Sequence, residues 1–542
     1  MPALTHPGVH IEELPSAVHT ITGVATSIAA FVGWAPMGSV TEATLVQSWS
    51  DFQNQFGGLN PQSKLGYAVN QFFGNGGQQA YIVRLAWDAS FATNSNPKPA
   101  AAATATASIG GVLTLYATSP GQWANGNTTN PPAWVIGLNV AVTTNPSNST
   151  RFALNIRDLN GNTLESFANL STDPNDRQGR YVVTVIDNDS QYVTFINPAT
   201  PNQPPTPLSG TLASTSTPVP LTGGADGTPL TPATDGNFEI ALGVSPPATA
   251  YGVHLLDRVG IFNLLCVPGE TDSVTIQALQ EYCATNRAFY IVDCPQNVTT
   301  AAVVTSGPVG TSGSANPTAP LAHTPYSSYS AYYYPWVLAP DPLFGNRPTL
   351  FPPCGFVAGL YAATDASRGV WKAPAGIDAA LSGVLGLQVT LTDAENGSLN
   401  LQAVNCLRQF KDSGDIMWGA RTLDGNDQRD SQWKYIPVRR LAMYIESSLY
   451  DGTQWIVFEP NDEQLWSQIR LNVGSFMQGL FLQGAFEGTT PQQAYFVQCD
   501  AENNPQPSID QGIVNILVGF APLYPAEFVV IQIQQMAGQA QN

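Results

Sequence analysis

The sequence predicts an α+β fold: an α/β-type core supplied by the first and last parts of the chain, interrupted by an inserted β-rich domain. Segments mixing helical and strand-like periodicity occupy residues 23–90 and return after about residue 250. Between them, short β-branched and aromatic runs alternate with Pro, Gly, Asn and Asp, the spacing of an all-β unit. The chain, at 542 residues, is also too long for one ordinary core.

The first 22 residues read as an arm in which Val9, Ile11 and Leu14 form a short extended run closed by Pro15. Residues 26–33 (TSIAAFVG) predict a buried strand, 51–56 and 64–73 helices, and 79–85 an alternating strand. Residues 91–106, rich in Ala, Thr, Asn and Pro, lead into the insert, where strands are expected at 111–117, 134–143, 152–158, 181–186 and 191–196. After a glycine turn at 221–227 come a helix at 253–258, a strand at 261–267, a helix at 273–285 and a strand at 288–293. Near the end, a helix at 438–450 stops at Asp451-Gly452 and a strand follows at 454–458. Asn461 is expected to cap a long helix over 462–482, with Asp462 and Glu463 in the first turn, where the helix dipole favours negative charge. Leu465, Ile469, Val473, Phe476 and Leu480 mark its apolar face. Strands are expected at 494–499, 513–520 and 528–533, the last carrying Phe528, Val529, Val530, Ile531 and Ile533.

Both ends of the chain lack cations, because no Lys or Arg precedes Lys64 or follows Arg470. Edge strands are normally guarded by Lys, Pro or a bulge, since their free N–H and C=O groups recruit other chains. Pro525 precedes the last strand but no cation guards it. Either both ends tuck into their own domain or they pair with another chain.

Twenty basic residues against 39 acidic ones leave a net charge of −19, which argues against wrapping nucleic acid. The six cysteines form no C-x-x-C pair and read as free buried thiols of a reducing compartment. No signal peptide is expected, and no apolar run reaches the ~18 residues of a membrane span. The P-loop, the G-x-S-x-G elbow and H-E-x-x-H are missing. Residues 265–271 end a strand ahead of a helix but lack the glycine spacing for close phosphate approach. His6 and His10 are split by Pro7-Gly8, and Asp424, Asp427 and Asp430 miss the EF-hand template, so a polar turn is the expected reading there. Arg439 and Arg440, with Lys434, are the densest positive spot, which could bind an acidic partner surface but is expected rather to pair with neighbouring acids. No catalytic, cofactor-binding or metal-binding residue is expected. An assembly subunit, an α/β enzyme with a β accessory domain and a surface-layer or adhesin protein remain as readings.

Residues 355–376 (GFVAGLYAATDASRGVWKAPAG) resemble the central signature of contractile tail sheath proteins. That family covers phage tails, R-type bacteriocins and extracellular contractile injection systems. Further stretches are similar in the same order: 7–13, with His10 in place of the usual Tyr; 31–38 (FVGWAPMG); 221–227 (LTGGADG); 262–269; Leu399-Asn400 with Val404-Asn405; and 433–440 (WKYIPVRR). The resemblance thins over 90–220.

This resemblance implies a non-enzymatic subunit that stacks as hexameric rings around an inner tube and contracts to drive the tube through a target envelope. It implies no cofactor, no nucleic acid and no membrane insertion. The implied partners are copies of the chain, the inner tube protein, and baseplate and tail-terminator proteins. Assembly would occur in the cytoplasm, and the mature subunit would sit in the particle. The implied parts are an N-terminal arm (1–22), core (23–90), inserted outer domain (91–250), core again (251–430), C-terminal domain (431–523) and C-terminal arm (524–542). Arm strands carrying Val9, Ile11 and Leu14, and Phe528, Val529, Val530, Ile531 and Ile533, would complete the C-terminal sheets of neighbours, with hinges at Pro15 and Pro525. The helix over 462–482 resembles the one that holds the tube, which points to Asp462, Glu463 and Arg470.

Overall fold

The computed structural model describes residues 19–532, apart from 92–98, 133, 199, 201–202, 206–207, 209, 211, 233–235, 245–250, 313–318 and 322–323. Two compact units emerge: Ala25–Arg439, and the described residues up to Val24 together with those from Arg440 on.

The larger unit is built on an eight-stranded sheet in the order Thr44–Val46, Ala80–Leu85, Ala29–Trp34, Leu264–Cys266, Phe289–Asp293, Ser330–Tyr334, Val404–Phe410, Gly414–Met417. The six inner strands pair in parallel and each edge strand is antiparallel. Ala29–Trp34 and Phe289–Asp293 are buried along their whole length, as strands covered on both faces must be, which is why they read as unbroken apolar runs. Helices Trp49–Phe56, Leu65–Gly74, Ser273–Asn286 and Cys354–Arg368 connect or cover the strands. The last of these contains the start of the 355–376 signature. A Cβ at Gly355 would lie 2.5 Å from the Ala68 carbonyl oxygen, and one at Gly359 would lie 2.7 Å from that of Phe72. These glycines therefore let Cys354–Arg368 press against Leu65–Gly74 at backbone contact.

The insert has its own core. Asn139–Asn145, Asn148–Arg157 and Thr163–Leu170 form an antiparallel meander joined by Val219–Pro220; a second sheet pairs Thr106–Ile109, Leu113–Ala117 and Val193–Thr194. Leu115, Trp123, Leu138, Leu154, Ile156 and Ile186 meet at its centre. The strand expected at 181–186 is instead the helix Val182–Asp189. Val182, Val185 and Ile186 are buried on one face, and a spacing of three and four serves a helix as well as a short β-branched run serves a strand. Thr163–Leu170 went unforeseen because its Glu, Ser and Asn hide the strand pattern.

In the smaller unit, residues 440–452 complete the helix Ile436–Gly452, and Glu463–Leu482 follows. Tyr495–Gln498 pairs antiparallel with Leu517–Phe520. Residues 19–24 lie along the first helix: the Val24 N–H donates to Ser448 Oγ at 3.2 Å, and His19 stacks on Trp455 with centroids 4.2 Å apart. Three expectations fail here. Residues 454–458 form a 3-10 turn at Gln454–Ile456 rather than a strand. The strand at 513–520 shrinks to Leu517–Phe520. Phe528–Gln532 carries no strand, and no strand among the described residues pairs with it. Ile533 lies outside the described residues.

Candidate assembly interface

Arg84 is the one cation in an otherwise apolar strand, and it ties core to insert. Its side chain is buried, donating from Nε to Ala35 O (2.7 Å), from Nη1 to Gly38 O (2.7 Å) and Pro120 O (2.8 Å), and from Nη2 to Pro36 O (3.1 Å). Four backbone carbonyls thus compensate its desolvation. Burial still lowers its pKa to about 9, against the raising field of Asp226. Asp226 in turn accepts from Gln122 N (2.7 Å) and Gln122 Nε2 (2.6 Å). Asn125 exchanges two hydrogen bonds with Gly224, each 2.9 Å. A Cβ at Gly224 would sit 2.2 Å from Gly121 O. The stretches FVGWAPMG and LTGGADG are therefore the two sides of one joint between sheet and insert.

In the smaller unit the apolar surface is unusually open. Among the described residues the hairpin Tyr495–Gln498/Leu517–Phe520 has two strands, each keeping an edge to which no described strand is bonded. Phe496 and Leu517 on it are exposed, as are Ile513, Leu523 and Tyr524 nearby in the chain. Phe528, Val529, Val530 and Ile531 are 73%, 82%, 80% and 79% exposed. Pro525, the candidate hinge, precedes them and is half-buried. Val9, Ile11, Leu14 and Pro15 lie outside the described residues, as do His6 and His10.

The three charges expected at a tube contact are partly committed elsewhere. Asp462, not Asn461, caps Glu463–Leu482, accepting from Leu465 N at 3.0 Å. Asn461 instead bridges Trp466 Nε1 (2.8 Å) and Ile513 O (3.0 Å). Arg470 pairs with Glu463 at 2.6 Å and also donates to the Cys499 carbonyl, pinning the helix to the end of the hairpin strand. On the buried face, Met477 sits where Phe476 was expected, and Phe476 packs half-buried on Tyr444. Asn472 is also buried there, and neither its Oδ1 nor its Nδ2 finds a hydrogen-bond partner among the described residues.

The remaining candidate sites close on themselves. Asp424 accepts from Ser431 and faces Arg429, while Asp427 pairs with buried Arg421 at 2.9 Å and with Lys434. These hydrogen bonds and charges lower the Asp427 pKa against the opposing effect of its desolvation, which is the largest single contribution. The segment is thus a clamp, and no metal-holding group of three His, Cys, Asp or Glu occurs among the described residues. Ahead of helix Ser273–Asn286, Asp272 accepts from Val274 N and Thr275 N, and the Gly269 N–H goes to Asp293 Oδ2 at 2.9 Å. The donors a phosphate would need are occupied. Arg439 is not a free basic patch: it is buried with its guanidinium 3.8 Å from the Tyr329 ring centroid and 4.5 Å from that of Trp433. Arg440 is buried too. All six cysteines are free and buried. No helix among the described residues is long and apolar enough to cross a membrane.

Comparison with known proteins agrees with the order of these motifs. Residues 261–423 match the phage tail sheath protein central domain, and residues 428–536 match the phage tail sheath C-terminal domain. The tail sheath protein of Vibrio phage KVP40 is 27% identical over 190 residues, covering 35% of this chain and 27% of the relative. A putative prophage major tail sheath protein of Pseudomonas aeruginosa is 27% identical over 180 residues, covering 32% of this chain and 44% of the relative. The chain thus spans less than half the length of these curated relatives. In fold, the chain resembles the sheath of an extracellular contractile injection system (PVC) in its contracted state, with a TM-score of 0.55, 21% identity and 99% coverage of each chain.

Proposed function

Because this chain belongs to the contractile tail sheath family, we propose that it is a structural subunit that polymerises as stacked hexameric rings around an inner tube. In this reading the sheath assembles extended and contracts to drive the tube through a target envelope. The subunit is a component of a phage tail or of an extracellular contractile particle, assembled in the cytoplasm before release. Its partners are further copies of itself, the inner tube protein, and baseplate and terminator proteins. The role is mechanical rather than catalytic.

One observation carries the proposal. An uncharged apolar segment, Phe528–Ile531, is solvent-exposed in the isolated chain, in the same unit as a hairpin whose edges pair with no other strand among the described residues. Strand addition supplies what both lack: main-chain hydrogen bonds give affinity and alternate side chains give register. Burying three aliphatic side chains is worth roughly 5–9 kcal/mol before ordering costs. Pro525, and Pro15 at the other end, are proposed as the hinges that let an arm stay paired while subunits turn. The tube contact is proposed at the Glu463–Arg470 pair, whose side chains are 64% and 32% exposed, while Asp462 orients the helix as its cap.

Negative-stain microscopy tests the reading. The purified chain is expected to form tubes or rings, and deletion of 526–542 is expected to leave folded, unpolymerised protein. Wild-type polymer yield from the deletion would overturn the donated arm.

A further inference from the structure

The central sheet changes direction at its first strand. From Ala29–Trp34 the chain passes to Ala80–Leu85 on one side and, after the insert, to Leu264–Cys266 on the other. In an open parallel sheet such a reversal leaves a crevice beyond the carboxyl ends of the strands. Here that crevice is a cavity of about 360 Å³, walled by the last three residues of the first strand, the start of helix Leu65–Gly74, and Pro268-Gly269 beyond the next strand. Its size is that of a small-ligand site.

The polar groups around it are unevenly committed. Asp341, at the end of the strand Val337–Asp341, is engaged, its Oδ1 accepting from Tyr67 Oη and Leu343 N, each at 3.0 Å. Ser63 is engaged as well, donating to Trp34 O at 2.6 Å and accepting from Leu65 N at 3.2 Å. Two donors are not. Trp34 is 1% exposed, lines the cavity, and its Nε1–H has no acceptor among the described residues. The Lys64 ammonium, at the N-cap of Leu65–Gly74, sits 4.3 Å from the Trp336 ring centroid and makes no ion pair or hydrogen bond among the described residues. Lys64 is half-buried, and this burial lowers its pKa against the raising field of Asp293. A buried unmatched donor such as Trp34 Nε1–H is costly and marks a place for an acceptor, and the half-buried Lys64 ammonium lines the same cavity. The rest of the wall mixes apolar Leu230, Phe238, Leu350 and Phe351 with Gln62, Thr231 and Thr349.

We propose that this cavity binds a small organic anion, a carboxylate or sulfonate on a short apolar body, with its head on Lys64 Nζ and Trp34 Nε1 and its body against Leu230, Phe238 and Leu350. The site lies within the larger unit and does not depend on the sheath reading. Isothermal titration calorimetry of the full chain with 1-hexanesulfonate, and with 1-hexanol as the uncharged counterpart, tests it. The sulfonate is expected to bind one per chain. Lys64→Met is expected to weaken it at least tenfold and to leave hexanol within twofold. Trp34→Phe, which keeps the ring and removes the N–H, is expected to weaken the sulfonate several-fold and serves as the second variant should Lys64→Met fail to fold. Equal sulfonate affinity in wild type and both variants, or no saturable binding, would overturn the site. Sulfonate binding lost on polymerisation, together with loss of polymer in Lys64→Met, would assign the cavity to a neighbouring copy and overturn the proposal equally.

Discussion

Asp293 ends a central strand with almost no exposure, and burial raises its pKa from 3.8 to about 6 despite hydrogen bonds from the Gly269 and Cys354 N–H groups. A carboxyl whose folded pKa is raised stabilises the fold most below its unfolded pKa, and that stability is lost as pH rises through the folded value. The shift corresponds to on the order of 3 kcal/mol, withdrawn between about pH 4 and pH 6. Urea midpoints of wild type and Asp293→Asn, compared across that window, are expected to differ in slope, the variant lacking this decline. Asn472 shows the opposite case, a buried polar group with no hydrogen-bond partner among the described residues. Asn472→Leu is expected to raise the stability of the unpolymerised chain by about 1–3 kcal/mol, read from the same urea curves. Neither effect was visible in the sequence, where Asp293 closed an ordinary strand and Asn472 sat among the polar residues of an amphipathic helix.

At the scale of elements, Gly355 and Gly359 of the 355–376 signature act through helix packing. An alanine at Gly359 would place Cβ 2.6 Å from Asn75 Cβ and 2.7 Å from the Phe72 carbonyl oxygen. Gly359→Ala is expected to cost about 1–3 kcal/mol through forced separation of Cys354–Arg368 from Leu65–Gly74, seen as a lower thermal midpoint. Helix Glu463–Leu482 was legible in outline, since Leu465, Ile469, Val473 and Leu480 are buried as their spacing requires. Its cap was not, because Asn461 and Asp462 are equally good N-cap residues locally, and the bond of Asn461 to Ile513 settles the choice.

At the scale of the whole molecule, the final segment is where the proposed polymerisation is expected to act, because its apolar side chains are exposed in the single chain. Val529→Asp with Ile531→Asp is expected to abolish polymer in sedimentation assays while leaving the thermal midpoint of the soluble chain unchanged, since both side chains are 79–82% exposed in it. The sequence by itself determined the α+β class, the β-rich insert and the family, because these rest on spacings of two, three and four residues and on the order of short motifs. Only the tertiary structure decided that 182–189 is a helix, that Arg84 bridges the core to Pro120 in the insert, and that Trp34 and Lys64 share a cavity wall. Those outcomes depend on contacts between distant parts of the chain, and a local pattern carries no record of which distant carbonyl or ring a side chain will meet.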